Sequence, residues 1–318
     1  MLAFDATGKL WNQEMGPKGG DEVNLVVAKA NYGYPIVSNG DHYDGRDIPD
    51  HSPEDGFVPP KTVEMVRKLV EDDPAKPPKA IYRENGKAVD VPKDFFSSDF
   101  FTTRLIDYIE SGKDSGKPFF AYLAFTAPHW PLHAHDADIA KYEARYKDGY
   151  DALRRERLER MKKLGLVAAD TPVFEGHPSW PKWDSLSPAE KASEAKRMAV
   201  YAAMVDNMDQ HLGRMLDYLK KTGQLDNTFI FFLSDNGADG NSVYDVARTR
   251  EWIHKDFDNS IAHIGKSGSY AEYGPGWAQV GSTPFRLYKS FMYEGGISVP
   301  AIAWGPGVKG GATKQAMA

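Results

Sequence analysis

The chain has 318 residues, 41 % hydrophobic and 26 % charged, a balance that fits one large or two small globular domains with a sizeable core. A net charge of −6 without any long basic run argues against a nucleic-acid partner, which wants a basic face. Cysteine is absent, which excludes disulfides and thiolate metal sites. The sequence opens without a cationic-then-apolar leader. No apolar run approaches the roughly 20 residues of a membrane helix, so a cytoplasmic location is expected of the sequence as written.

Residues 1 to about 58 are rich in turn formers, among them Gly16-Pro17, Gly19-Gly20, Asn31-Tyr32-Gly33 and Ser38-Asn39-Gly40. Short apolar or alternating runs between them, such as Val23 to Val27, predict short antiparallel strands. Residues 46 to 60 carry four prolines and five charges and read as a linker. Beyond about residue 60, helical patterns alternate with short apolar runs, which predicts an α/β domain with a mainly parallel sheet covered by helices. Phe100 to Ser111 reads as a helix with Leu105, Tyr108 and Ile109 on one face. Pro118 to Phe125 reads as a buried strand, and Ala137 to Leu164 as a polar helical stretch. Ser187-Pro188-Ala189-Glu190 is a capping-box pattern with proline at the first helical position, and the helix it opens is predicted to end at Thr222-Gly223. Asn227 to Leu233 and Val299 to Trp304 read as two further buried strands.

Two loops sit at the carboxyl ends of predicted strands, where α/β sheets place ligands. The first is Ser234-Asp235-Asn236-Gly237. Asp235 and Asn236 can offer oxygens to a hard cation, and the same residues equally make an ordinary turn. The second runs from Thr126 to Asp136 and packs His129, His133 and His135 into seven residues. Imidazoles at this density can bind zinc or a similar metal; the alternative is a loop of surface histidines. Lys289, between Pro284-Phe285-Arg286 and Tyr293-Glu294-Gly295-Gly296, can meet an anionic oxygen as a point charge, although an isolated lysine is usually solvated.

These motifs run in one order: a strand followed by APHWPLH, a long helix, a strand followed by SDNGADG, then TPFRLYKSFMYEGGISVPAIAWGPG. Together they resemble the arylsulfatase family of the alkaline-phosphatase superfamily over about residues 78 to 312. The resemblance implies that Asp235 and Asn236 are two ligands of a divalent cation, that His129 stands beside the sulfate ester, and that Lys289 contacts the sulfate and leaving group. The family's usual first strand with two metal-binding aspartates, and its Cys- or Ser-x-Pro-Ser-Arg motif that carries the formylglycine nucleophile, have no counterpart in this sequence. Residues 10 to 24 and Asn31-Tyr32-Gly33-Tyr34-Pro35 resemble instead the PQQ-dependent soluble sugar dehydrogenases, which are six-bladed propellers. Fifty-odd residues make about one blade, so no intact PQQ site is expected.

The domains expected are therefore a propeller-derived β-rich fragment at 1–58, a linker of unclear origin at 59–77, and a truncated sulfatase-like α/β domain at 78–318. The function expected is that of a promiscuous, metal-dependent hydrolase of neutral activated esters, namely phosphotriesters, lactones or aryl esters, attacked by metal-bound hydroxide without a protein nucleophile. The catalytic candidates are His129 and Lys289. The candidate ligands of a zinc or calcium ion are Asp235, Asn236, His133 and His135, and a site formed at an interface between two chains is expected to be able to recruit front-segment residues such as His42 or His51. Residual sulfatase or phosphate-ester activity, or a non-catalytic gene-fusion relic, are the alternatives. A sheet edge left without its first strand is expected to be covered in a symmetric homodimer. No membrane partner is expected.

Overall fold

The structure, a computed structural model, describes residues 82–310 apart from 179, 243, 245 and 246, together with the backbone of the strands nearer the N-terminus. It divides into two compact units, Met1–Phe95 and Phe96–Ala318. The linker expected at 46–60 and the residues His42 and His51 lie outside the described residues.

The first unit holds two three-stranded antiparallel sheets. One is β1 (Leu2–Phe4), β2 (Leu10–Glu14) and β3 (Glu22–Val26), with β2 central and Trp11 opposite Leu25. The other is β4 (Val63–Arg67), β5 (Ala80–Glu84) and β6 (Lys87–Val89), with β5 central. The β5–β6 hairpin turns on Asn85 and Gly86, both at positive φ (52° and 76°), the Asn-Gly pair that such a turn favours. Strand β4 falls inside the stretch expected to be a linker.

The second unit is helix-rich with one small sheet, an α/β fold. Its central helix, α4 (Pro188–Lys221), starts where the sequence predicts. The Ser187 hydroxyl accepts from the Glu190 N–H, and the Glu190 carboxylate accepts from the Ser187 N–H. Helix α1 (Ser97–Gly112) packs Ile109 against Met215 and Leu219 of α4, with Leu105 and Ile106 alongside. The polar stretch expected as continuous helix is broken into α2 (Asp136–Ala140) and α3 (Gly149–Lys163). Helix α3 can begin no earlier than Gly149, whose φ of +84° is outside the helical region and where a Cβ would lie 2.1 Å from the Trp183 ring.

The main core gathers Leu132, Ile139, Val200, Ala203, Ile264 and Trp277. After α5 (Ala247–Asp256) comes α6 (Gly274–Gly281), whose Trp277 is fully buried and meets Tyr146, Tyr150 and Trp183 edge-on at 5.5–5.9 Å. Its indole N–H donates to the Glu194 carbonyl at 3.1 Å. Burial of that one ring contributes on the order of 3 kcal/mol.

The sheet departs from expectation in three ways. Strands β7 (Ile230–Leu233) and β8 (Ala301–Trp304) form a two-stranded antiparallel ladder, with Ile230 opposite Trp304, where a mainly parallel sheet was expected. An apolar run reads the same in either direction, so its pattern does not fix the sense of pairing. Every residue of β8 is exposed, whereas burial under helices was expected. Residues 118–125 form no ladder, and Phe119, Phe120 and Tyr122 are exposed. An apolar run marks surface that wants burial, but burial is supplied by neighbouring elements. No helix among the described residues is long and apolar enough to cross a membrane.

Candidate active site

His129 lies on the loop after residues 118–125. Two main-chain bonds fix that loop just downstream, Leu132 N–H to the Ala271 carbonyl (2.9 Å) and Ala134 N–H to the Gly265 carbonyl (3.1 Å). Leu132 itself is fully buried, so it acts as a plug that holds the histidine loop to the core. Strand β7 leads into residues 234–240. That loop docks on α7 (Glu294–Ile297) so closely that a Cβ on Gly237 would lie 1.9 Å from the Gly295 carbonyl oxygen. The Gly237 N–H donates to the Gly296 carbonyl at 2.9 Å. Lys289 enters between α6 and α7, and its N–H donates to the Ala238 carbonyl at 2.9 Å.

Three side chains from these three loops converge. Lys289 Nζ lies 3.2 Å from His129 Nε2 and 3.2 Å from Asp239 Oδ2. His129 Nε2 lies 3.3 Å from the same Asp239 oxygen. The Trp130 indole N–H also donates to Asp239 Oδ2, at 3.2 Å. The other oxygen, Oδ1, accepts from the main-chain N–H and the side-chain amide of Asn241, at 3.1 and 2.8 Å. Asp239 is the enclosed member of the group, with 10 % of its side chain exposed against 30 % for Lys289 and 41 % for His129. Burial by itself raises the Asp239 carboxyl. The hydrogen bond from His129, the Asn241 N–H and the Lys289 charge outweigh it and hold the group well below the usual carboxylate range.

Asp239 was not among the residues nominated from sequence, and Trp130 was not either. The signal was present: a second aspartate in the SDNGADG loop, placed before a glycine, Gly240, whose Cβ would meet the Tyr288 ring at 2.8 Å.

The structure brings His129 and Lys289 together. Asp235 is exposed and Asn236 half-buried on the loop that carries Asp239; the Ser234 hydroxyl donates to the Asn236 carbonyl. His133 Nε2 is 2.9 Å from the Ser269 carbonyl, and its backbone bridges to Gly265. His135 stands at the start of α2 and packs, tilted by 35°, against the Phe96 ring at 4.5 Å. Among the described residues no three His, Cys, Asp or Glu side chains converge to hold a metal ion. Asp235 and Asn236 offer two oxygen donors and His133 is taken by Ser269, so the described residues do not by themselves fit a divalent cation, and no step below passes through one.

The sulfatase family model matches residues 40–318, and the chain belongs to the sulfatase family. Residues 1–66 match the Glucose / Sorbosone dehydrogenase family, so two families meet in the front part of the chain. An uncharacterized sulfatase of Schizosaccharomyces pombe is 44 % identical over 234 residues, 72 % of this chain and 42 % of that protein. An arylsulfatase of Klebsiella aerogenes is 39 % identical over 229 residues, 71 % of this chain and 48 % of that protein. An aldose sugar dehydrogenase of Escherichia coli is 46 % identical over 41 residues, 13 % of this chain and 11 % of that protein. The chain thus spans less than half the length of the two sulfatase relatives.

Proposed function

We propose that this chain hydrolyses activated, neutral esters, with His129 moving the proton, Lys289 stabilising charge on the departing oxygen and Asp239 orienting both. The observation that carries the reading is that each protonation state of His129 has a partner in place. His129 Nδ1 is 2.6 Å from the Trp130 carbonyl, which assigns a proton to Nδ1. In the neutral ring Nε2 is then a bare acceptor, and the Lys289 ammonium 3.2 Å away supplies the donor. Once Nε2 takes a proton, the Asp239 carboxylate at 3.3 Å accepts it in a hydrogen bond. A group supported in both states suits general acid–base work. Water gives a proton to Nε2 as it attacks the ester carbon or phosphorus, and Nε2 returns that proton to the leaving oxygen as its bond breaks. The Lys289 ammonium faces the same space and stabilises negative charge as it grows on that oxygen.

The charge balance favours a neutral substrate. The Lys289 cation is offset by the Asp239 anion 3.2 Å away. A sulfate or phosphate monoester would bring its own anion to a group with no net positive charge. Phosphotriesters, lactones and aryl esters bring none, and they are the substrate class proposed. The relatives named as sulfatases support ester hydrolysis as the reaction type.

The test is turnover of an aryl phosphotriester, an aryl carboxylic ester and an aryl sulfate by the full chain, with and without a chelator, and by His129→Gln. The expected result is faster turnover of the neutral esters, loss of roughly a hundredfold in His129→Gln, and activity that survives chelation. Faster turnover of the aryl sulfate, or a His129→Gln variant as active as the parent, would overturn the reading.

A further inference from the structure

Lys289 is flanked by two non-glycine residues in the left-handed region, Leu287 at φ +62° and Ser290 at φ +78°. Such conformations cost of order 1 kcal/mol or more each and persist only where the surroundings hold them. A carboxamide side chain from elsewhere in the fold meets each one, at the main-chain N–H of Leu287 and at the side-chain hydroxyl of Ser290.

Gln279, on α6 and almost fully buried, binds the loop ahead of Lys289. Its Oε1 accepts from the Leu287 N–H at 2.9 Å, and its Nε2 donates to the Phe285 carbonyl at 2.9 Å. The buried Arg154 guanidinium completes that clamp, donating to the carbonyls of Gln279 (2.6 Å) and Phe285 (3.1 Å). Asn241 binds the loop behind Lys289, its Nδ2 donating to Ser290 Oγ at 3.0 Å. The same Asn241 amide donates to Asp239 Oδ1 at 2.8 Å, so one side chain joins the lysine's loop to the carboxylate that the lysine meets.

We infer that Gln279 and Asn241 are positioning residues, Gln279 pinning the main chain ahead of Lys289 and Asn241 tethering the Ser290 side chain behind it, and that they so set the ammonium against His129 and Asp239. The inference rests on the reading of Lys289 as the group that meets the ester, but its geometry can be tested without turnover. A free lysine side chain samples many rotamers, and a flexible loop would add backbone freedom to that. The two clamps remove the second source. Gln279 is the stronger, because its two bonds are made out of water, where an unmade bond is not replaced by solvent.

The experiment uses the full chain and measures acylation of individual lysines by an N-hydroxysuccinimide ester, read by peptide mass spectrometry. Gln279→Met keeps the approximate volume and removes every side-chain bond to this loop, including a longer one from Nε2 to the Leu287 carbonyl at 3.5 Å. Asn241→Ala is the milder variant, near the surface, and keeps the proposal testable if the buried substitution fails to fold. Lys196, which pairs with Glu143 far along the sequence, is the internal control. The expected result is a rise in Lys289 acylation of about tenfold in Gln279→Met and several-fold in Asn241→Ala, with Lys196 unchanged and the thermal transition still cooperative. Lys289 acylation within twofold of the parent in a folded variant overturns the inference, and so does a parallel rise at Lys196, which would mean general loosening. Loosened Lys289 in a chain whose parent hydrolyses no ester would sink the functional reading and leave the clamps standing.

Discussion

Asp239→Asn is the most informative single change, because the carboxylate serves every other member of the site. Four donors reach it in either state of His129: Trp130 and Lys289 at Oδ2, and two N–H groups of Asn241 at Oδ1; His129 Nε2 is a fifth once protonated. An amide of the same shape can keep one oxygen toward Asn241. Its NH2 then faces the Trp130 N–H and the Lys289 ammonium, donor against donor. Charge-assisted bonds contribute about 1.5–3 kcal/mol when shielded. The Lys289 partner is partly exposed, 30 %, so its share is discounted to about 1 kcal/mol. Adding about 1 kcal/mol for the indole N–H left unpaired gives a loss of about 2 kcal/mol with His129 neutral. For a unit of this size that is a fall in Tm of roughly 4–8 °C. The pH dependence follows from the direction of the shift. The folded-state pKa is depressed, so the contribution is whole above the ordinary aspartate range, near about 3.9, and is lost as pH falls toward the folded value. The carboxylate's contribution is therefore whole at pH 7, and the gap between parent and variant narrows below about pH 4. Calorimetric melts at a series of pH values measure it. A variant melting within 2 °C of the parent at pH 7 (roughly 1 kcal/mol or less), or a gap that widens below about pH 4, refutes the reasoning.

Other outcomes are expected from the same structure. Lys289→Met removes the ammonium from the ester site and should lower aryl-ester kcat/KM by at least about tenfold, read by initial rates, with the Asp239 carboxylate left short of a partner. Gly149→Ala forces a Cβ into the Trp183 ring at a φ of +84° and should cost about 3 kcal/mol or more, read as a large fall in denaturant midpoint. Ser187→Ala removes the cap of the longest helix and should cost about 1 kcal/mol, a shift of roughly 2–4 °C in the melt.

Parts of the site were legible because their signals are local. The Ser187–Glu190 capping box states its own geometry in four residues, and α4 begins there. His129 and Lys289 stand 160 residues apart yet were both nominated, because each belongs to a motif whose order along the chain resembles one family. What was missed depended on neighbours. Asp239 reads as one more turn residue until the backbone folds Trp130, His129 and Lys289 onto it. The run 118–125 has the composition of a buried strand, but its burial would have to come from elements on both sides. The break at Gly149 was hidden for the same reason: the sequence shows a glycine, and only the packed Trp183 ring shows why nothing larger fits.

The two-stranded β7–β8 ladder has a kinetic consequence for the site it leads to. With every residue of β8 exposed, its amides are held by a single neighbouring strand and will take up deuterium early. The amides of Gly237, Leu287 and Lys289 are bonded to α7, to Gln279 and to the Ala238 carbonyl, none of which belongs to that ladder. Exchange will therefore run against the usual order, with the strands labelled before the loops they connect, and the meeting of His129, Asp239 and Lys289 will outlast the fraying of the sheet beside it.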